Sequence, residues 1–104
     1  MTFTGNEGAI ITLAEGSEMT ANYRATISTG DVIGHAIGAN LFNSILNQTG
    51  CVGIRIYYAL DEMGEKQLVL VGVDTNGNDI TSGIIVDKSI SCPTRCSYKN
   101  PLNS

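Results

Sequence analysis

The stretch Val52-Gly53-Ile54-Arg55-Ile56-Tyr57-Tyr58-Ala59-Leu60 decides how this chain is read. Val52, Ile54, Ile56, Tyr58 and Leu60 alternate with Gly53, Arg55, Tyr57 and Ala59, which is the period of a β-strand. Residues 62–65, with Gly64 among them, predict a four-residue turn, and residues 67–73 are almost wholly apolar and valine-rich, as in a strand covered on both faces. Asn76-Gly77 then suits the positive dihedrals of a two-residue type I′ turn and leads to a third strand at residues 80–87. With loops of those lengths Tyr58 faces Val69, Ile56 faces Val71, and Val69 faces Ile84. One face of this meander collects Val52, Ile54, Ile56, Tyr58, Leu60, Val69, Val71, Val73, Ile80 and Ile84, and is where helices should pack. The other carries Gly53, Arg55, Tyr57, Ala59, Leu68, Leu70, Gly72, Gly83 and Ile85, which is too apolar for water. It reads as a contact between chains, or as a face crossed by the tail or the first helix.

Upstream, residues 12–27 carry two signals. Thr12 and Glu15 fit a capping box ahead of good helix formers, whereas Met19, Ala21, Tyr23, Ala25 and Ile27 alternate with polar residues at strand period. Helix is the favoured reading. A loop at 28–38 precedes Leu41, Phe42, Ile45 and Leu46, which recur at helical spacing and end at Gly50 as a left-handed stop. The expected fold class is therefore α+β: two N-terminal helices packed on a three-stranded antiparallel meander in one domain, residues 1–88, followed by an irregular, ordered tail, residues 89–104.

The 104 residues suffice for one apolar core, and a formal charge of -4 argues against nucleic acid or an anionic membrane as partner. Only 15% of residues are charged, which leaves an under-charged surface and points to self-association. No run reaches the roughly 18 to 20 apolar residues of a membrane span, and residues 1–8 lack the pattern of a signal peptide, so the expectation is a cytoplasmic protein with no membrane span.

The segments Gly50-Cys51-Val52-Gly53-Ile54-Arg55-Ile56-Tyr57-Tyr58-Ala59-Leu60-Asp61-Glu62 and Gln67-Leu68-Val69-Leu70-Val71-Gly72-Val73-Asp74 resemble a family of short bacterial proteins with no assigned activity. The resemblance takes in Thr20-Ala21-Asn22-Tyr23-Arg24, His35, Cys92-Pro93-Thr94-Arg95-Cys96 and the ending Asn100-Pro101-Leu102-Asn103-Ser104. It implies a helix around Glu15, where the family has alanine in place of Gly16, and it implies no function.

Four soft-metal ligands are present, Cys51, Cys92, Cys96 and His35, a Cys3His set in number. The spacing argues against one site, because only Cys92 and Cys96 are close in sequence and the meander puts Cys51 at the opposite sheet end, about 30 Å away. A local Cys92–Cys96 disulfide and free thiols are the other readings of the pair, and Cys51 reads as a small buried hydrophobe. No catalytic residues are assigned. His35 would need a nucleophile and an orienting acid, such as Cys51 with Asp31 or Asp61, and nothing in the spacing joins them. Residues 74–79 lack the sixth-position glycine and distal glutamate of a calcium loop. No cofactor signature is present.

The leading expectation is a non-enzymatic, self-associating structural subunit, a homo-oligomer with contacts at Arg55, Tyr57, Leu68, Leu70 and Ile85 on the second sheet face and at Tyr98 and Leu102 in the tail. The alternative is a metal- or ligand-binding regulator centred on His35 and the cysteines. The tail, stiffened by Pro93 and Pro101, is expected to follow a fixed path on a neighbouring subunit rather than strap its own domain.

Overall fold

A computed structural model describes residues 2–104. The chain is α+β, with helices α1 (Leu13–Arg24) and α2 (Ala39–Leu46) and strands β1 (Gly34–Ala36), β2 (Gly53–Leu60), β3 (Lys66–Val73), β4 (Ile85–Val86) and β5 (Ile90–Cys92). β2, β3 and β4 form an antiparallel sheet in sequence order, and β1 and β5 form a separate two-stranded one. The chain divides into two compact units, one comprising the residues up to Glu7 with Ala36–Ser89, the other Gly8–His35 with Ile90–Ser104.

In the sheet unit the two connections are copies of one device, an aspartate three residues before a glycine. In the first, the Asp61 N–H donates to the Glu65 carbonyl (3.0 Å) and the Gly64 N–H to the Asp61 carbonyl (2.9 Å). In the second, Asp74 N–H donates to the Asn78 carbonyl (2.9 Å) and Gly77 N–H to the Asp74 carbonyl (3.0 Å). Each aspartate Oδ1 also accepts two backbone N–H groups, from Met63 and Glu65 or from Asn76 and Asn78. Gly64 and Gly77 take positive φ, 79° and 82°. This is the three-residue hairpin loop closed by a left-handed glycine.

That turn chemistry corrects the expected register. A three-residue loop pairs Tyr58 with Leu68, Ile56 with Leu70 and Arg55 with Val71, one residue away from the pairing that a four-residue loop gives. Because strand side chains alternate, a slip of one residue exchanges every β3 side chain between faces. After Asn78 the chain pairs briefly, Val73 with Asp79, then bulges through residues 81–84 before Ile85 and Val86 pair with Val71 and Leu70. The expected continuous strand over 80–87 is thus two short pieces around Gly83.

Ile45 of α2, Leu70 and Val86 make the buried centre, with Ile37, Phe42, Cys51, Ile54 and Leu68 packed around it. Leu70 and Leu68, expected on a chain-to-chain contact, therefore belong under α2; Leu70 is fully buried. Gln48, past the end of α2, ties that layer to the bulge: its Nε2 donates to the Ile45 carbonyl (2.9 Å) and its Oε1 accepts the Ile84 N–H (2.7 Å). Gly83 leaves room for this amide, since a Cβ there would collide with its Oε1, and a Cβ on Gly72 would press on Cys51 Sγ and on the amide nitrogen. On the opposite sheet face the Phe3 ring lies over Gly53, and the Phe3 N–H donates to the Thr75 carbonyl (2.9 Å).

The expectation placed both helices with the meander, but α1 falls in the other unit. Its apolar residues form no continuous stripe, none is buried, and Leu13 and Met19 are exposed. The helix itself forms where the capping box predicts: the Glu15 N–H donates to Thr12 Oγ1 (3.1 Å) and the Thr12 N–H to Glu15 Oε1 (3.2 Å).

The tail is corrected in the same unit. It contains β5, and it straps α1 of its own chain: Arg24 donates to the Leu102 carbonyl (2.6 Å), and the Leu102 side chain reaches Gly16. Ile33 N–H donates to the Cys92 carbonyl (2.7 Å), Cys92 is bonded to Cys96, and Asn100 closes the end by accepting from Leu102, Asn103 and Ser104.

Candidate functional site

An α-helix rises about 1.5 Å per residue and a strand about 3.3 Å. The eight residues of α2 therefore span about half the length of eight-residue β2, and the helix covers only one end of the sheet. Beyond it Ile56, Tyr58 and Leu60 stand on the same face as Ile54 and remain 49%, 92% and 70% exposed, with Met63 exposed at the hairpin tip. Three consecutive same-face positions of an edge strand are thus large, apolar and uncovered.

The reverse face is polar at its centre. The Arg55 guanidinium is paired with Asp79 Oδ1, the Tyr57 hydroxyl donates to Asp79 Oδ2, and both guanidinium NH2 groups reach the Gly77 carbonyl (3.3 Å). The Asp79 carboxyl is held below its ordinary value, first by the Tyr57 hydroxyl and then by Arg55. The same hydrogen bond raises Tyr57, because ionising the phenol would remove the donor. Arg55 and Tyr57, expected as contact residues, are occupied with Asp79, and Ile85 stands 55% exposed on their face. This group neutralises its charge internally.

The remaining expected site residues do not converge. Cys92 and Cys96 form a disulfide, which removes two thiolates from the Cys3His set. Cys51 is a half-buried free thiol whose Sγ lies 3.2 Å from the Gly53 carbonyl, and His35 lies in β1. Among the described residues no three His, Cys, Asp or Glu side chains gather as a metal site. Tyr98 is 95% exposed, and Leu102 lies on α1. A shallow hollow of about 330 Å³ in the helix-and-tail unit is lined by Arg24, Ile27, Asp31, Ile33, Pro93 and Asn103. Its two charged side chains are engaged, Arg24 with Leu102 and Asp31 with the Ser28 N–H.

The uncovered stripe was missed because the four-residue turn put Val69 and Val71 beside Tyr58 and Ile56 and made that face look fully packed. The spacing of Asp61 to Gly64, repeated at Asp74 to Gly77, is the signal that could have found it. No family model matches the chain, and no curated protein and no solved structure is similar to it. No helix among the described residues is long and apolar enough to cross a membrane.

Proposed function

We propose that this chain is a small structural subunit that associates with copies of itself and performs no catalysis. The observation that carries the reading is the uncovered stripe of Ile56, Tyr58 and Leu60 on β2. Apolar side chains at three successive positions on one face of an edge strand cost free energy in water, and covering them against a second molecule recovers it. The low charge content of 15% leaves little repulsion to oppose that contact. The contact residues move accordingly from the face of Arg55, Tyr57 and Ile85 to that of Ile56, Tyr58 and Leu60.

Sedimentation from micromolar to millimolar concentration tests the reading. The expected result is mass that rises with concentration toward a defined multiple of the chain. A monodisperse monomer throughout that range overturns it.

A further inference from the structure

We propose that two copies pair edge to edge through β2, antiparallel about a two-fold axis at Tyr57, so that two three-stranded sheets become one of six strands. This rests on the self-association reading above and specifies its geometry.

The backbone sets the phase. The Asp61 N–H bonds across the hairpin to the carbonyl of Glu65 directly opposite it, and the phase is counted from there; at the other end the Val52 N–H bonds to the Val73 carbonyl (2.8 Å) one step out of register, since Val73 stands opposite Gly53. Hydrogen-bonding direction alternates along an antiparallel ladder, so Gly53, Arg55, Tyr57 and Ala59 turn their N–H and C=O groups toward β3. Those of Ile54, Ile56, Tyr58 and Leu60 turn outward, and among the described residues no strand lies beside them. These are the residues whose side chains form the uncovered stripe. A strand added here satisfies the backbone and covers the stripe together.

A second copy fits this edge because the edge is complementary to itself. Outward-facing residues must oppose outward-facing residues, which requires the axis to pass through a residue. An axis at Tyr57 pairs everything from Ile54 to Leu60, setting Ile56 beside Tyr58 of the second copy and Ile54 beside Leu60 of the second copy. An axis at Ile56 would leave Leu60 outside and draw in Gly53, which Phe3 already covers, and one at Tyr58 would shorten the pairing.

Charge agrees with the same occupant. The chain carries a formal charge of -4, yet β2 has no acidic residue, no lysine and no proline, the usual guards of an exposed edge. Its one charge, Arg55, is neutralised by Asp79 and would stand opposite Ala59 of the second copy. Two copies therefore meet without like charges in register. One strand pairing is smaller than the about 800 Å² per partner of a standard interface, so the contact is concentration-dependent.

Two measurements on the full chain test the pairing. Tyr58→Lys places a guard on a residue that is already 92% exposed, so the melting temperature at low concentration should not move while the dimer dissociation constant rises at least tenfold. Tyr57→Cys, Ile56→Cys and Tyr58→Cys are then oxidised separately, with linkages mapped by mass spectrometry so that Cys51 is left in place. The Tyr57→Cys chain should cross-link to itself in highest yield, since opposed residues at a non-hydrogen-bonded position bring their Cα atoms to about 4.5 Å. Preferred linkage at position 56 or 58 overturns the register. Association that is insensitive to Tyr58→Lys and yields none of the three linkages overturns edge pairing while leaving self-association standing. A monomer at all concentrations overturns both.

Discussion

The Tyr57 hydroxyl donates to Oδ2 of Asp79, a residue 22 positions further along the chain, while Arg55 holds the other carboxylate oxygen. The three side chains join β2 to the piece of chain that pairs with the end of β3, across the face opposite α2.

This contact gives the sheet unit two pH limits. Asp79 is held below its ordinary 3.8, so its contribution to stability is complete above that value and is lost as pH falls through the lowered one. Asp61 behaves alike, held down first by the Glu65 N–H and then by Gln67. Tyr57 is raised above 10.0, so its contribution is complete below that value and is lost as pH climbs through the raised one. Tyr57→Phe should bring the Asp79 carboxyl back toward its ordinary value and remove a phenol that titrates above 10.0. Carboxyl NMR and ultraviolet titration read the two effects, and an unchanged Asp79 would show that the hydroxyl does not hold it.

The register is tested by a charge at position 70. Leu70 is fully buried against Ile45 and Val86, so Leu70→Lys should cost more than about 4 kcal/mol and unfold the sheet unit. Ile85→Lys, on the other face and 55% exposed, should stay within about 0.5 kcal/mol of the parent. Denaturant melts separate these outcomes. A folded Leu70→Lys chain would restore the four-residue turn.

Gln48 and Gly83 should behave as one element. Removing the amide by Gln48→Ala frees the Ile84 N–H and the Ile45 carbonyl, a loss of about 1 kcal/mol. Gly83→Ala drives a methyl group into that amide and should be as harmful alone. With the amide gone the methyl group meets less, so the double variant should be little worse than Gln48→Ala, and an additive cycle would disprove the contact.

Reduction of Cys92–Cys96 should loosen only the unit that contains it. Closing so short a loop contributes about 2 kcal/mol by chain entropy. Hydrogen exchange should speed up at Ile33, whose N–H is held by the Cys92 carbonyl, and stay constant at Leu70. Equal acceleration at both would contradict the division into two units.

Strands β2 and β3, both helices and the Thr12–Glu15 cap were legible because each is written in local spacing. The faces were not. They depend on one loop residue, and the attention drawn by Asn76-Gly77 as a dipeptide hid the aspartate two positions before Asn76 that anchors the turn. The bulge at 81–84 was equally hidden, since its cause is the amide of Gln48, 36 positions before Ile84. Met19 and Tyr23 are large side chains, yet both are exposed on α1, and only tertiary packing decides which helix is covered.

The interleaving of the two units also sets an order of events during synthesis. Every segment of the sheet unit has been made once Ser89 is added, so that unit can condense while the chain is still growing. The first helix is made before the strands of the sheet unit, but the residues that strap it, Ile90–Ser104, are made only after that unit is complete. A twelve-residue helix is marginal by itself, and the Thr12–Glu15 box is the local support it has while it waits. A nascent chain stalled at residue 89 would carry a finished sheet and an idle helix.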